Sequence, residues 1–520
     1  MPERVALKDA AVYLGGGEVI EKGCVVVKGS TIESVGPACD LGGSRDLDVM
    51  DLAGKLILPG LTDCHLHLLG YARALVGLDL AGTASLDEGL HLIEQHLEGV
   101  PAGGWLRGRG WDKQRWGLQA FPTREMLDRV TGDRPAALAS RDGHLMWVNS
   151  AVLQRIGLDR EAVEVDGGEV EVDGAGRPTG ILKENAAGLI RARGGDDRTE
   201  EDLAALEAAS RKLIELGLTC VHTIEGGEDA RTIDRAEERG SVGLDLVRLR
   251  EVKDLSELDG LSPSPRAAFV KFYADGALGS QTASMFEPYQ GQPGNTGIAV
   301  TGRRELGQLV RQSVEKGFAV AVHAIGDRAN KEVLDIYQAV RQDLPDSDVP
   351  LRIEHAQILR GEDVGRFGRL SVVASMQPIH VVSDMRVAEA YWGPRCRHAY
   401  AWKSILRGGG ILAFGSDAPI EDPDPLKGIH AALTRRSPEE HASPAWYGDE
   451  RLTVTEAVDC YTSGAAVAGG RSAADGRIRA GARADLTVLE RNILTPREPD
   501  VILDTAVHMT VIGGRIHTGR

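Results

Sequence analysis

The chain has no cysteine pairing pattern. The six cysteines of its 520 residues (Cys24, Cys39, Cys64, Cys220, Cys396 and Cys460) are scattered, without a C-x-x-C pair. That argues against a disulfide-built scaffold and for a reducing, cytoplasmic setting. No apolar run is long enough to span a bilayer, so no membrane association is expected. The opening Met1-Pro2-Glu3-Arg4-Val5-Ala6 lacks a basic segment followed by an apolar stretch, and no secretory signal is expected. There is no basic block either. Lys and Arg total 60 against 77 Asp and Glu, a net charge of −17, so nucleic acid is not the expected partner and the acidity serves solubility. Internal repeats and long low-complexity tracts are also absent. What remains is an ordinary globular composition, 42% hydrophobic and 26% charged, long enough for a large core and more than one domain.

The middle of the chain alternates apolar, β-branched runs with helical patterns. The runs are Leu56–Cys64, Leu218–Thr223, Leu244–Leu249, Ala267–Tyr273, Phe318–His323, Leu351–His355, Val372–Met376 and Ile411–Ser416. Helical periodicity fills Glu200–Leu216, Arg303–Lys316 and Asn330–Val340. Eight such units predict an α/β fold, a (β/α)8 TIM-like barrel over 56–67 and 197–475. An open doubly wound sheet is the alternative, disfavoured because no Gly-rich dinucleotide loop follows the first strand. Residues 1–55 and 476–520 read as short strands and turns, too few at either end for a stable sheet. Together they predict one small composite β-sandwich. Residues 68–196 are too long for a loop and predict an insertion domain over the barrel mouth after strand 1.

Polar residues end several of the apolar strands. His65 and His67 lie two apart, so on a strand their imidazoles share a face. Lys271 lies in the fourth run, His323 ends the fifth, His355 ends the sixth and Asp417 follows the eighth. In a barrel these ends meet at one rim, and four imidazoles, a lysine and a carboxylate gathered there predict a metal site.

Pro59-Gly60-Leu61-Thr62-Asp63-Cys64-His65-Leu66-His67 and the Lys, His, His, Asp order resemble the amidohydrolase superfamily. Gly108-Arg109-Gly110-Trp111-Asp112, Asp142-Gly143-His144, Asp275-Gly276-Ala277-Leu278-Gly279-Ser280 and His323-Ala324-Ile325-Gly326-Asp327 are similar to its amidohydrolase 3, or YtcJ-like, branch. That resemblance implies a divalent-metal hydrolase, with His65, His67 and Asp417 holding one ion and His323 and His355 another. It also implies that Lys271 is carboxylated and bridges two zinc ions. Glu184 is the substitute anionic ligand should Lys271 stay unmodified. A homodimer is the suggested assembly.

The expected reaction is hydrolysis of a non-peptide C–N bond of a small molecule, with Asp417 as the catalytic proton shuttle. The alternatives are a single-metal deaminase, an ester or lactone hydrolase, and a non-catalytic binding protein. Trp111, His144, His222, Gln377 and His380 are the candidate substrate-facing residues. Cys220 reads as core, and Glu354 as pointing away from the metals, towards a helix, with support of a metal ligand as the alternative. Arg109 and Arg141 are candidates for a substrate carboxylate, although surface ion pairs are the commoner use of arginine.

Overall fold

A computed structural model describes residues 4–37, 47–101, 103–165, 167–193, 199–252, 254–261, 269–440 and 443–518. Cys39 and the expected boundary at 196/197 lie outside the described residues. Eight strands form one all-parallel sheet in the order in which the chain supplies them: Leu61–Leu66, Leu218–Gly226, Asp245–Glu251, Phe269–Tyr273, Ala319–Ala324, Leu351–His355, Val372–Met376 and Ile411–Phe414. Helices such as Thr199–Glu215, Arg303–Glu315 and Asp327–Asp343 lie between them. The sheet closes at its C-terminal rim. Leu66 bridges Ala418 in parallel, and the Asp417 N–H donates to the His65 carbonyl at 2.6 Å. This is the expected (β/α)8 barrel.

The first strand begins later than its apolar run. Leu56–Pro59 pairs antiparallel with Leu486–Leu489 in the terminal sheet, and only Leu61–Leu66 enters the barrel. Gly60 marks the crossing. A Cβ there would stand 2.4 Å from the Thr219 hydroxyl, so the chain passes too close for any side chain. The two ends of the chain join in a single hydrogen-bonded eight-stranded sheet, with Arg4–Gly15 and Glu18–Lys28 next to Leu56–Pro59 and Val507–Ile512 next to Leu486–Leu489. Its core includes Leu7, Val25, Ile57, Leu486 and Val511. Gly476–Ile478, expected as a strand, is not one. Cys64, Cys220, Cys396 and Cys460 are free and buried, whereas Cys24 is disulfide-bonded, which the scattered spacing did not foretell.

The insertion also begins later than expected. Leu68–Val76 is a helix whose Leu68, Leu69, Tyr71 and Ala72 belong to the barrel's core, and Arg73 at its end is held by Asp202 and Asp229. Beyond it a six-stranded sheet forms, in the order Gly168–Val172, Pro178–Glu184, Leu145–Val148, Ala136–Ser140, Leu106–Trp111, Leu78–Asp79. It has apolar clusters of its own, one around Trp111, Trp116, Leu138 and Trp147, another around Ala137, Val148, Val152 and Leu182.

Candidate metal centre

Parallel strands deliver their last residues to one rim, and the structure brings His65, His355 and Asp417 together there. Each offers a ligand atom within 4.8 Å of the others. The Asp417 carboxylate lies 3.4 Å from His65 Nε2, 3.5 Å from His67 Nε2 and 3.7 Å from His380 Nε2. The ring of His355 stands 4.7 Å from that of His65 and 4.5 Å from that of His323. The His355 ring thus adjoins both His65 and His323. His67 lies just past its strand, and its Nδ1 contacts the Ile224 carbonyl at 3.0 Å, so Nε2 turns to the centre.

The backbone is bent to make this possible. Asp417 has φ +62°, His355 +71° and Ala356 +44°. Non-glycine residues in that region are strained, and they persist where surrounding structure over-determines them. Asp63 supplies part of that restraint. Its carboxylate accepts the backbone N–H of His65 and of Ser416, both at 3.0 Å, and the Ser416 hydroxyl at 2.6 Å, tying first strand to eighth.

A divalent ion fits this donor set. The Nδ1 of His355 is buried without a hydrogen-bond partner among the described residues, an arrangement that costs free energy unless something accepts its lone pair. Burial, with His65 and His323 nearby, holds His355 well below the usual imidazole range; burial and Lys271 do the same for His323. Neutral imidazoles are what a metal binds. Burial works against ionised Asp417, yet His65, His67 and His355 outweigh it and hold the carboxyl well below its usual range. Lys271 is buried, and desolvation lowers its amine to about 8, against the pull of Glu354, Glu251 and Asp417. Its Nζ stands 3.6 Å from the centre of the Tyr273 ring, whose hydroxyl donates to Glu251.

Beneath the rim lies a buried polar network that sequence reasoning missed. Glu354 is fully buried and accepts from His65 at 2.7 Å and from Arg352 at 2.7 and 3.1 Å. It points into the barrel, not towards a helix. Arg352, also fully buried, donates to the Cys64 carbonyl, the Ser375 hydroxyl and the Ala468 carbonyl, and lies 2.9 Å from His222 Nδ1. His222 is thus committed to Arg352 rather than to a pocket. Burial and the adjacent guanidinium keep it neutral. The available signal was two charges alternating within Leu351-Arg352-Ile353-Glu354-His355: alternate residues share a face, and an apolar strand hides charges only in pairs.

Two other expectations change, at Trp111 and at Glu184. Trp111 is core of the insertion, 1% exposed, its indole N–H donating to the Leu138 carbonyl and its ring edge-on to Phe121 and Trp147. Glu184 stands apart from the His65, His355 and Asp417 group and is held by other partners. It ends a strand at φ +49°, with one oxygen 2.8 Å from His144 Nδ1 and the other accepting from Thr282. Cys220 packs with Val247 and Leu249, as core. His144 does reach the site, its ring 6.2 Å from that of His323. His380 begins the helix His380–Trp392, with its Nε2 buried and without a hydrogen bond among the described residues and its ring 6.1 Å from that of His355. Gln377 is buried after the seventh strand and donates to the Ser375 carbonyl at 3.3 Å.

Comparison with known proteins gives a consistent picture. The family model described as "Amidohydrolase family" matches residues 48–517. YtcJ of Bacillus subtilis (strain 168) is 35% identical over 490 residues, covering 91% of each chain. The N-substituted formamide deformylase of Arthrobacter pascens is 30% identical over 492 residues, 90% of each chain. The crystal structure of an uncharacterized metal-dependent hydrolase from Pyrococcus furiosus superposes with a TM-score of 0.74 at 27% identity, over 95% of this chain and all of that one.

Proposed function

The chain belongs to the amidohydrolase family, and from that membership we propose that it is a metal-dependent hydrolase that opens a non-peptide C–N bond of a small molecule. N-formyl and N-acyl amines are the bonds to test first. The observation that carries the reading is the convergence of His65, His355 and Asp417 around one point, ringed by His67, His323 and His380, with Lys271 on the Tyr273 ring that adjoins His323. The similarity to a deformylase supports the choice of bond. The acidic chain, without a basic block, supports a small molecule over nucleic acid.

In this reading His65, His67 and Asp417 would hold one zinc ion and His323 and His355 a second, and Lys271, its depressed amine having taken up carbon dioxide and lost a proton, would supply an anionic carbamate ligand. When bound, such ions acidify a water and polarise a carbonyl. The chain's own groups do the rest. Asp417, kept anionic by its histidines, accepts the proton of the attacking water and passes it to the departing nitrogen, since an amide nitrogen leaves poorly unless protonated. Water adds to the carbonyl carbon, the C–N bond breaks, and a carboxylic acid and an amine are released. His380, its Nε2 3.7 Å from the Asp417 carboxylate, is the first candidate to hold the leaving group, and Gln377, just past the seventh strand, the second. Glu354 fixes the His65 tautomer, leaving Nε2 directed at the centre.

A single-ion enzyme, a deaminase or an ester or lactone hydrolase, is the second reading. It is favoured by the tight group His65, His355 and Asp417, which would suffice for one ion. Metal content per chain, measured together with turnover of formamides, N-acyl amines and esters, tests both. About two ions and amide turnover support the first; one ion with ester turnover or deamination supports the second.

A further inference from the structure

Arg109 is a guanidinium held by one loose ion pair, to Asp79, and by no hydrogen bond among the described residues. Its side chain is only 14% exposed, yet it makes no hydrogen bond to any described residue, and its Nη2 is wholly buried without a partner. The nearest carboxylate, Asp79, is 3.8 Å away, too far for a hydrogen bond, and is itself half exposed. Burying a cation without acceptors is costly, so such a group in a folded chain calls for a reason.

The strand is shaped to aim this residue. In Leu106–Trp111 the register slips between Arg109 and Trp111, and Gly110, at φ +93°, is the extra residue; a Cβ on it would stand 2.5 Å from the Ala81 nitrogen. A bulge turns the next side chain to the other face. Trp111 therefore joins the insertion's core beside Leu138, while Arg109 stays on the opposite face, in one cross-strand row with Ala139, Met146 and Leu182. Ala139 and Met146 are half-buried, a small residue and a flexible one beside the guanidinium. The end of this face meets the barrel mouth. Arg141, after the neighbouring strand, donates to Glu421 at 2.9 Å, and Glu421 lies four residues beyond Asp417. Burial dominates the environment of Arg109 and lowers its affinity for the proton, against the pull of Asp79, Glu421 and Asp417. Arg141 thus has a carboxylate within hydrogen-bond distance, whereas Arg109 meets Asp79 only at 3.8 Å.

We propose that Arg109 receives a carboxylate on the substrate, so that the amide cleaved belongs to an N-acylated or N-formylated amino acid or a similar organic anion. An apolar side chain would lie along Ala139 and Met146. This rests on the reading of the site as a C–N hydrolase and names its substrate class.

A matched pair of compounds tests it: N-formylphenylalanine and N-formylphenethylamine, which differ only in the carboxylate. With the zinc-loaded chain, kcat/KM is expected to favour the acid about 100-fold, the discrimination available to a charge-assisted, bidentate pair. Arg109→Gln should abolish that preference, mainly through KM, while turnover of the neutral amine stays within a few-fold; Arg109→Lys should keep part of it. Equal turnover of acid and amine by the parent, or a preference that survives Arg109→Gln, overturns the proposal. Binding is measured separately by calorimetry with N-methanesulfonylphenylalanine and N-methanesulfonylphenethylamine, sulfonamides that are not hydrolysed. Tighter binding of the acid by the parent, lost in Arg109→Gln, supports the carboxylate site even if no amide is turned over, in which case the hydrolase reading fails alone. Equal binding of the two sulfonamides overturns the carboxylate site and leaves the hydrolase reading standing.

Discussion

Two buried arginines show how differently the barrel and its insertion treat charge. Arg352, inside the barrel, spends its donors on Glu354, Cys64, Ser375 and Ala468 and adjoins His222. Arg109, on the insertion, makes no side-chain hydrogen bond among the described residues: its Nη2 is buried without a partner and its Nη1 stands 3.8 Å from Asp79. The barrel needs fixed geometry beneath a cluster of imidazoles, and a fully satisfied network gives rigidity at that point. The insertion faces the opening, where an unmatched donor is useful only if a ligand completes it. The lesson is that a satisfied buried charge marks scaffold, whereas an unsatisfied one beside a reactive centre marks a place for substrate.

The largest effect should come from the rim that the barrel network supports. Asp417→Asn is expected to lower kcat about 10²–10⁴-fold with metal content largely retained, as loss of a proton shuttle would. Unchanged kcat in a metal-replete variant would remove Asp417 from that role. Next comes the network itself. Arg352→Met leaves the buried charge of Glu354 with only His65 against it, and chemical denaturation should show a loss of about 3–5 kcal/mol; the same replacement at Arg109 should cost far less or even stabilise the free chain, since only the loose pair with the half-exposed Asp79 is broken. Equal losses at the two arginines would end the contrast. Glu354→Gln should weaken metal binding about 10–100-fold, read by competition with a chelator.

Smaller still is the pH response of the metal-free chain. Burial opposes a charged His65, but Asp417 and Glu354 raise it from 6.5 to about 8. Folding is therefore favoured by its protonation: the contribution, about 2 kcal/mol, is fully present below pH 6.5 and fades as pH rises through 8. Metal affinity has the opposite slope, weakening as pH falls below about 8, because ion and proton compete for the same nitrogen. Denaturant midpoints of the metal-free chain that rise between pH 6.5 and 8 would contradict this. The smallest effect is expected at Trp111→Phe, which loses one buried hydrogen bond: a cost of about 1–2 kcal/mol in stability, with KM unmoved.

Much of this was legible in the sequence because the barrel repeats one simple pattern. Apolar β-branched runs located all eight strands, and polar residues at their ends located His65, His67, His323, His355 and Asp417, since parallel strands carry their termini to one side. What stayed hidden depended on particular close approaches. The run Leu56–Cys64 is uniformly apolar, so nothing in its pattern revealed that Gly60 passes the chain from one sheet to another. His222 and Trp111 have residue types that suit a pocket, but His222 is claimed by an arginine 130 positions away and Trp111 is turned inward by a one-residue bulge. Glu184 is held by a histidine across a strand pair and by a threonine from the barrel, contacts that no spacing announces.

The account depends on the rim holding metal. An anomalous-scattering map at the zinc edge, from crystals of the zinc-loaded chain, tests that directly. Two peaks are predicted, one within about 2.0–2.2 Å of His65, His67 and Asp417 ligand atoms and one beside His323 and His355, with density extending from Lys271 Nζ between them. A map with no peak inside this ring, or with zinc only at surface carboxylates, would contradict the account.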